Sequence, residues 1–128
     1  KGLVGHSDGD VLLHSIIDAI LGAINRGNIG DHFPSSDEKN KNLDSQIMLR
    51  SINQILQEEN YKMVNIDSTI ILEEPRLSPY INKIKSNIST ILALNINQVS
   101  IKPKTNDKLG FLGKSLGICA QTIILITQ

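Results

Sequence analysis

The 128 residues carry 13 basic and 13 acidic side chains and no formal net charge, which removes the global field that a nucleic acid or other polyanion would need, so any phosphate recognised here is a small ligand in a local site. Hydrophobic residues make up 40% of the chain and aromatics only 3%; base-stacking platforms are thereby excluded, and no apolar stretch is long enough to span a bilayer. The length fits one domain, and the lone Cys119 rules out an intrachain disulfide and reads as a buried small hydrophobe suited to a reducing compartment.

The chain opens on HSDGDVLLH, His6 to His14, around the start of a helix. Ser7 or Asp8 caps it, and its free amides and positive dipole end favour an anion near His6, a loop histidine near a cap being the plain alternative. Leu12, Leu13, Ile16, Ile17, Ile20 and Ile24 recur at helical spacing from Asp8 to about Arg26, where Gly27 supplies the stop. Asp10, His14 and Asp18 fall four apart on one helical face. A carboxylate there either satisfies His14 as a helix-face residue or orients it as a metal ligand. The stretch NIGDHFPSSDEKNKNLDS is polar and turn-rich and reads as a mobile lid or binding loop. His32 has no carboxylate partner at ligand spacing, and Phe33 either shapes a pocket or packs the loop onto the body.

A second helix runs from Asp44 or Ser45 through Ile47, Met48, Ile52, Ile55 and Leu56 to about Asn60. Met63 to Leu72 is rich in β-branched residues and reads as a strand, followed by the loop EEPRL. Ser78 then resembles an N-cap with Pro79 at the first helical position, and Ile81, Ile84, Ile88, Ile91 and Leu92 continue a third helix to near Leu94. Val99 to Lys102 and Ile118 to Thr127 are the remaining strands. Three strands make a meagre sheet, which a further N-terminal strand would complete, or whose exposed apolar surface a homo-oligomer would cover.

Between the last two strands, TNDKLGFLGKSLG offers the Thr105 hydroxyl, the Asp107 carboxylate, the Lys108 and Lys114 charges, and flexible backbone at three glycines. It is not a P-loop, because Lys108 stands where glycine is required and a strand, not a helix, follows Ser115. Two readings remain. One is a surface hairpin of ordinary turn residues; the other is a hydroxyl, a carboxylate and cations that handle a diphosphate with a divalent ion.

Taken together, HSDGDVLLH, GNIGDHFP, EEPRLSP and TNDKLGFLGK, in this order and approximate spacing, resemble the 2-C-methyl-D-erythritol 2,4-cyclodiphosphate synthase family over nearly the whole chain. The resemblance implies an α/β (α+β) fold, a mixed β-sheet with helices on one side, forming a homotrimer with active sites between adjacent subunits. It also implies zinc and a second divalent cation, magnesium or manganese. His14 is then a zinc ligand, Asp107 a ligand of the second ion, and His6 with Thr105 the pair that stabilises the transition state. His6 and Ser7 contact substrate. Asn28, Ile29 and Gly30 match the part that holds the cytidine ribose, and Phe33, Pro34, Ser35, Ser36 and Asp37 the loop over the methylerythritol phosphate. Leu72, Glu73, Glu74, Pro75, Arg76, Leu77 and Ser78 resemble the cytosine pocket. Lys104, Thr105, Asn106, Asp107, Phe111 and Lys114 fall at further substrate positions.

The chemistry so implied is an internal phosphoryl transfer in isoprenoid precursor synthesis. The 2-phosphate of a 4-diphosphocytidyl-2-C-methyl-D-erythritol 2-phosphate attacks the β-phosphorus of its own cytidine diphosphate arm and expels CMP, in a bacterial cytoplasm or a plastid-type organelle. Several positions depart from the family. Asn28 replaces Asp, Lys104 a small hydroxyl residue, Lys114 an Arg and Gln121 an acid. The family's Asp-x-His strand, source of two further zinc ligands, is not found, so residues 1–128 read as a single N-terminally truncated domain. The alternatives are a nucleotide-binding but catalytically incomplete fragment and a metal-dependent phosphohydrolase, which product identity separates.

Overall fold

Apolar residues at helical and strand spacing build one layer of helices against one face of a mixed sheet. The computed structural model describes residues 7–40, 43–73, 76–105, 107–113 and 117–128. In chain order these form α1 (Ser7–Ala23), α2 (Ile29–His32), α3 (Ser45–Glu58), β1 (Lys62–Ile71), α4 (Ile81–Leu92), β2 (Val99–Lys104), α5 (Gly110–Gly113) and β3 (Cys119–Thr127). The three long helices and three strands follow the order expected from the sequence.

The core lies between the helices and the sheet. Leu12, Ile16, Ile17, Ile20 and Leu21 of α1 are at most 2% exposed; they meet Leu49, Ile52 and Leu56 of α3, Ile88 and Leu92 of α4, and Ile66 and Ile70 of β1. Each such side chain contributes on the order of 2 kcal/mol by leaving water. A polar seam crosses this layer. Ser15 of α1 donates to Thr122 of β3 at 2.8 Å, and Thr122 is 2.8 Å from the fully buried Ser68 hydroxyl of β1. These hydroxyls satisfy one another and fix where α1 crosses the sheet.

The sheet order is β2-β1-β3. β1 pairs parallel with β2, from Ile66 opposite Val99 to Ile71 opposite Lys104, after the crossover through α4. β3 runs antiparallel on the other edge, from Lys62 opposite Thr127 to Ile71 opposite Cys119. β2 and β3 are therefore not neighbours, and the hairpin reading of the segment between them is corrected: it crosses the end of β1. No helix packs on the outer face of the sheet among the described residues, where Ile123 and Leu125 stay 75% and 58% exposed. Cys119 is half-buried rather than buried.

Helix ends depart from the sequence reading in an instructive way. α1 already includes Ser7 and Asp8, the expected caps, and it stops at Ala23. Asn25 takes the left-handed conformation at φ 57°, with the Arg26 amide returning to the Leu21 carbonyl at 2.9 Å. Asn60 at φ 68° and Ala93 at φ 56° close α3 and α4 in the same way. Gly27 is thus not the stop. Ser78 makes no capping bond; it opens a 3-10 turn, Ser78–Tyr80, that leads into α4. No helix among the described residues is long and apolar enough to cross a membrane.

Candidate active site

α1 carries the site residues at three levels along its length. Its first turn faces the ends of the strands. There Gly9 and Leu12, with Ile70, Ile101, Leu77, Ile81 and Ile84, line a small apolar depression. Because β1 and β2 are parallel, both deliver their C-terminal ends to this place. The Leu72 amide donates to the Lys104 carbonyl at 3.0 Å, tying the segment expected to form a cytosine pocket to the segment that carries Thr105 and Asp107. Leu77 is 4% exposed and belongs to the core, whereas Arg76, Ser78, Lys104, Thr105 and Asp107 are exposed and Glu73 half-buried. The Asp107 amide faces the Thr105 hydroxyl at 3.4 Å, and that hydroxyl lies 3.5 Å from Asp107 Oδ1.

Halfway along α1, His14 is half-buried and its Nε2 lies 3.0 Å from the Ser45 hydroxyl at the start of α3. The expected carboxylate partners do not hold it. Asp10 is exposed, and Asp18 accepts instead from the Ile29 amide at 2.7 Å. Asp10, His14 and Asp18 do share a face, but His14 finds its partner on α3 and Asp18 in the segment between α1 and α3. Ser45 is the residue that the sequence reading misses. Asp44 caps α3 through the Gln46 amide at 2.8 Å and so sets Ser45, 4% exposed, at a buried first position; no local signal links it to a histidine 31 residues away.

That segment is also not the structureless lid expected. Asn28 caps α2 through the Asp31 amide at 3.1 Å, while Asp31 accepts from the Asn28 amide at 2.9 Å, a reciprocal capping box. Gly27 adopts φ 83° directly against the Asp31 carboxylate, and a Cβ there would overlap it. Further on, Asn40 donates to the Pro34 carbonyl at 3.0 Å and Asp37 accepts from the Lys39 amide at 3.2 Å. Phe33 packs against the core, and His32 contacts the Arg26 carbonyl at 2.8 Å. Pro34, Ser35 and Ser36 are exposed, and Ile29 and Gly30 form the first turn of α2.

His6, Glu74, Pro75, Asn106 and Lys114 lie outside the described residues, as do the side chains of Ser7 and Phe111. Among the described residues there is no group of three or more His, Cys, Asp or Glu side chains that could hold a metal. Gly9 and Asp18 are nine residues apart, about 13 Å along the helix. The strand-end cluster and the Asn28 turn are therefore carried at opposite ends of α1.

Comparison with known proteins gives one consistent result. A sequence model described as the YgbB family matches residues 1–127. A Fusobacterium nucleatum protein named 2-C-methyl-D-erythritol 2,4-cyclodiphosphate synthase is 51% identical over 128 residues, all of this chain and 80% of that protein. A Syntrophomonas wolfei protein of the same name is 47% identical over 128 residues and 82% of its length. Among solved structures, a Plasmodium falciparum IspF in complex with CDP superposes with a TM-score of 0.81 at 38% identity, over 97% of this chain and 75% of that one.

Proposed function

The chain belongs to the YgbB family, and from that premise we propose that it carries out the cyclising phosphoryl transfer for which its relatives are named: a 4-diphosphocytidyl-2-C-methyl-D-erythritol 2-phosphate becomes the 2,4-cyclodiphosphate and CMP. The bond from the 2-phosphate oxygen to the β-phosphorus forms as the bond from that phosphorus to the oxygen shared with the α-phosphate breaks. The nucleophile is already anionic, so the protein's work is to fold a polyanion back on itself and meet the charge that develops. The observation that carries this reading is the Leu72 to Lys104 bond, which sets the base-pocket segment beside Thr105 and Asp107. The Thr105 hydroxyl donates to a diphosphate oxygen, and Lys104 adds a nearby positive charge. Leu72 to Ser78 hold the base, and Asn28, Ile29 and Gly30 hold the ribose. His6 and Ser7, at the start of α1, complete the phosphate contacts.

Two ions are implied by the family, and the residues fit them differently. A magnesium or manganese ion binds through one or two carboxylates together with substrate phosphates, and Asp107 alone supplies a sufficient protein ligand. Such an ion polarises phosphate oxygens. Zinc at a catalytic site wants three protein ligands, and His14 has no such set around it among the described residues. A metal reached through Nδ1 would leave the Ser45 contact in place.

We read residues 1–128 as one domain that acts as a homotrimer. Two observations support this. Ile123, Leu125 and Val64, the last 38% exposed, leave apolar surface on the sheet that an identical neighbour would bury. The ribose turn and the base pocket are carried at opposite ends of α1, which fits a site completed by a second copy. Incubation with the substrate in water enriched in oxygen-18, followed by phosphorus NMR and mass spectrometry, tests the function. The expected result is CMP and a cyclic diphosphate without solvent oxygen. Label in the product would make the protein a hydrolase, and binding of CDP without product would make it a nucleotide-binding module.

A further inference from the structure

Residues 107–113 hold left-handed backbone at positions that are not glycine. Asp107 and Lys108 are both left-handed, at φ 52° and 61°, and Gly110 follows at 65°. Two consecutive non-glycine residues in that region lie uphill, and they persist only where their surroundings over-determine them. Gly113 supplies the constraint. It is buried while Thr105 and residues 107–110 are exposed, and its α-carbon sits so close to Lys108 that an added Cβ would overlap the Lys108 nitrogen, Cα and carbonyl carbon. Its amide donates to the Leu109 carbonyl at 2.9 Å. Gly113 does not itself have a left-handed φ, so glycine is needed there for space rather than for backbone freedom. On the other side of the same turn, the Asp107 amide and carboxylate both face the Thr105 hydroxyl.

We propose that Gly113 is a positioning residue for Asp107: by admitting the Lys108 backbone it locks the left-handed pair and holds the Asp107 carboxylate beside the Thr105 hydroxyl. The inference rests on the reading of Asp107 as the ligand of a divalent ion on a diphosphate. A carboxylate held in advance loses less freedom when the ion binds, so the lock acts on metal affinity before it acts on turnover.

The test is manganese(II) affinity in the presence of CDP, read from the EPR signal of the free ion, on the full chain. Gly113→Ala should weaken manganese binding roughly tenfold, as loss of an outer support does at other metal sites. Gly22→Ala, placed where a Cβ meets nothing within 4 Å, should bind like wild type. Because Gly113→Ala replaces a buried residue, Lys108→Val and Lys108→Gly provide a second arm on an exposed side chain. Both lose the charge, but only the β-branched residue resists a left-handed φ. Lys108→Val should therefore bind manganese several-fold more weakly than Lys108→Gly. Equal affinity of Gly113→Ala with wild type, or of the two Lys108 variants with each other, would overturn the inference. Asp107→Asn separates the two levels: if it binds manganese as wild type does, the ligand reading itself fails.

Discussion

The two loops of the site are fastened by different means. Residues 28–40 add side-chain ties to their own backbone turns: Asp18 to the Ile29 amide, Asn28 and Asp31 to each other's backbone, and Asn40 to the Pro34 carbonyl. The strand-end loop adds a close backbone approach to its Thr105 to Asp107 contact: the left-handed Lys108, next to the left-handed Asp107, sits directly against Gly113. Side-chain ties come apart singly, each for a modest loss, whereas a backbone lock fails when one Cβ is added. On the proposed function, the first arrangement suits a turn that grips a sugar, and the second a carboxylate that stays in place while charge moves beside it.

The largest expected effect lies at the strand ends. Thr105→Ala should lower kcat about 100-fold, the usual loss for one donor to a developing charge, with little change in CDP affinity; an equal loss in both would mean that Thr105 only binds. Next comes the outer face of the sheet. Leu125→Asp should shift sedimentation from trimer to monomer and abolish turnover, while a trimer that tolerates the charge would place the interface elsewhere. Asp18→Ala removes the acceptor for the Ile29 amide, worth about 1 to 3 kcal/mol. It should raise the KM or CDP dissociation constant roughly tenfold with kcat nearly unchanged, and a fall in kcat instead would erase the contrast between the loops. The smallest effect is on the scaffold. Ala93→Gly relieves a left-handed alanine and should stabilise the fold by about 1 kcal/mol in denaturant melts without touching activity.

Much of this was legible from the residues, and the limits have physical causes. The inward faces of α1, α3 and α4 follow from apolar spacing because burial obeys helical periodicity. The shared face of Asp10, His14 and Asp18 is also local geometry. Their partners are not: Ser45 meets His14 only because α3 packs on α1. The capping box is visible as Asn28 and Asp31 three apart, but such a spacing is common among the turn residues of any polar stretch, and only the reciprocal bonds make it a cap. Helix ends at Asn25 and Ala93 take a conformation that glycine usually fills, so Gly27 drew the boundary too far along. In the strand-end loop, the sequence offers glycine as flexibility, and only the packing shows that Gly113 serves as space.

The central claim is that one catalytic site is built from the strand-end loop of one copy and the Asn28 turn of another. It is tested most directly by mixing two inactive variants, Thr105→Ala and Asn28→Lys, the second blocking the ribose turn with a bulky cation. Each parent trimer should release CMP at no more than about a hundredth of the wild-type rate. Dissociated and reassembled together at equal concentration, they should recover about a quarter of wild-type CMP release, the share of intact sites formed by random assembly. If the mixture stays as inactive as its parents while forming mixed trimers, both halves of the site belong to one copy and the account is contradicted.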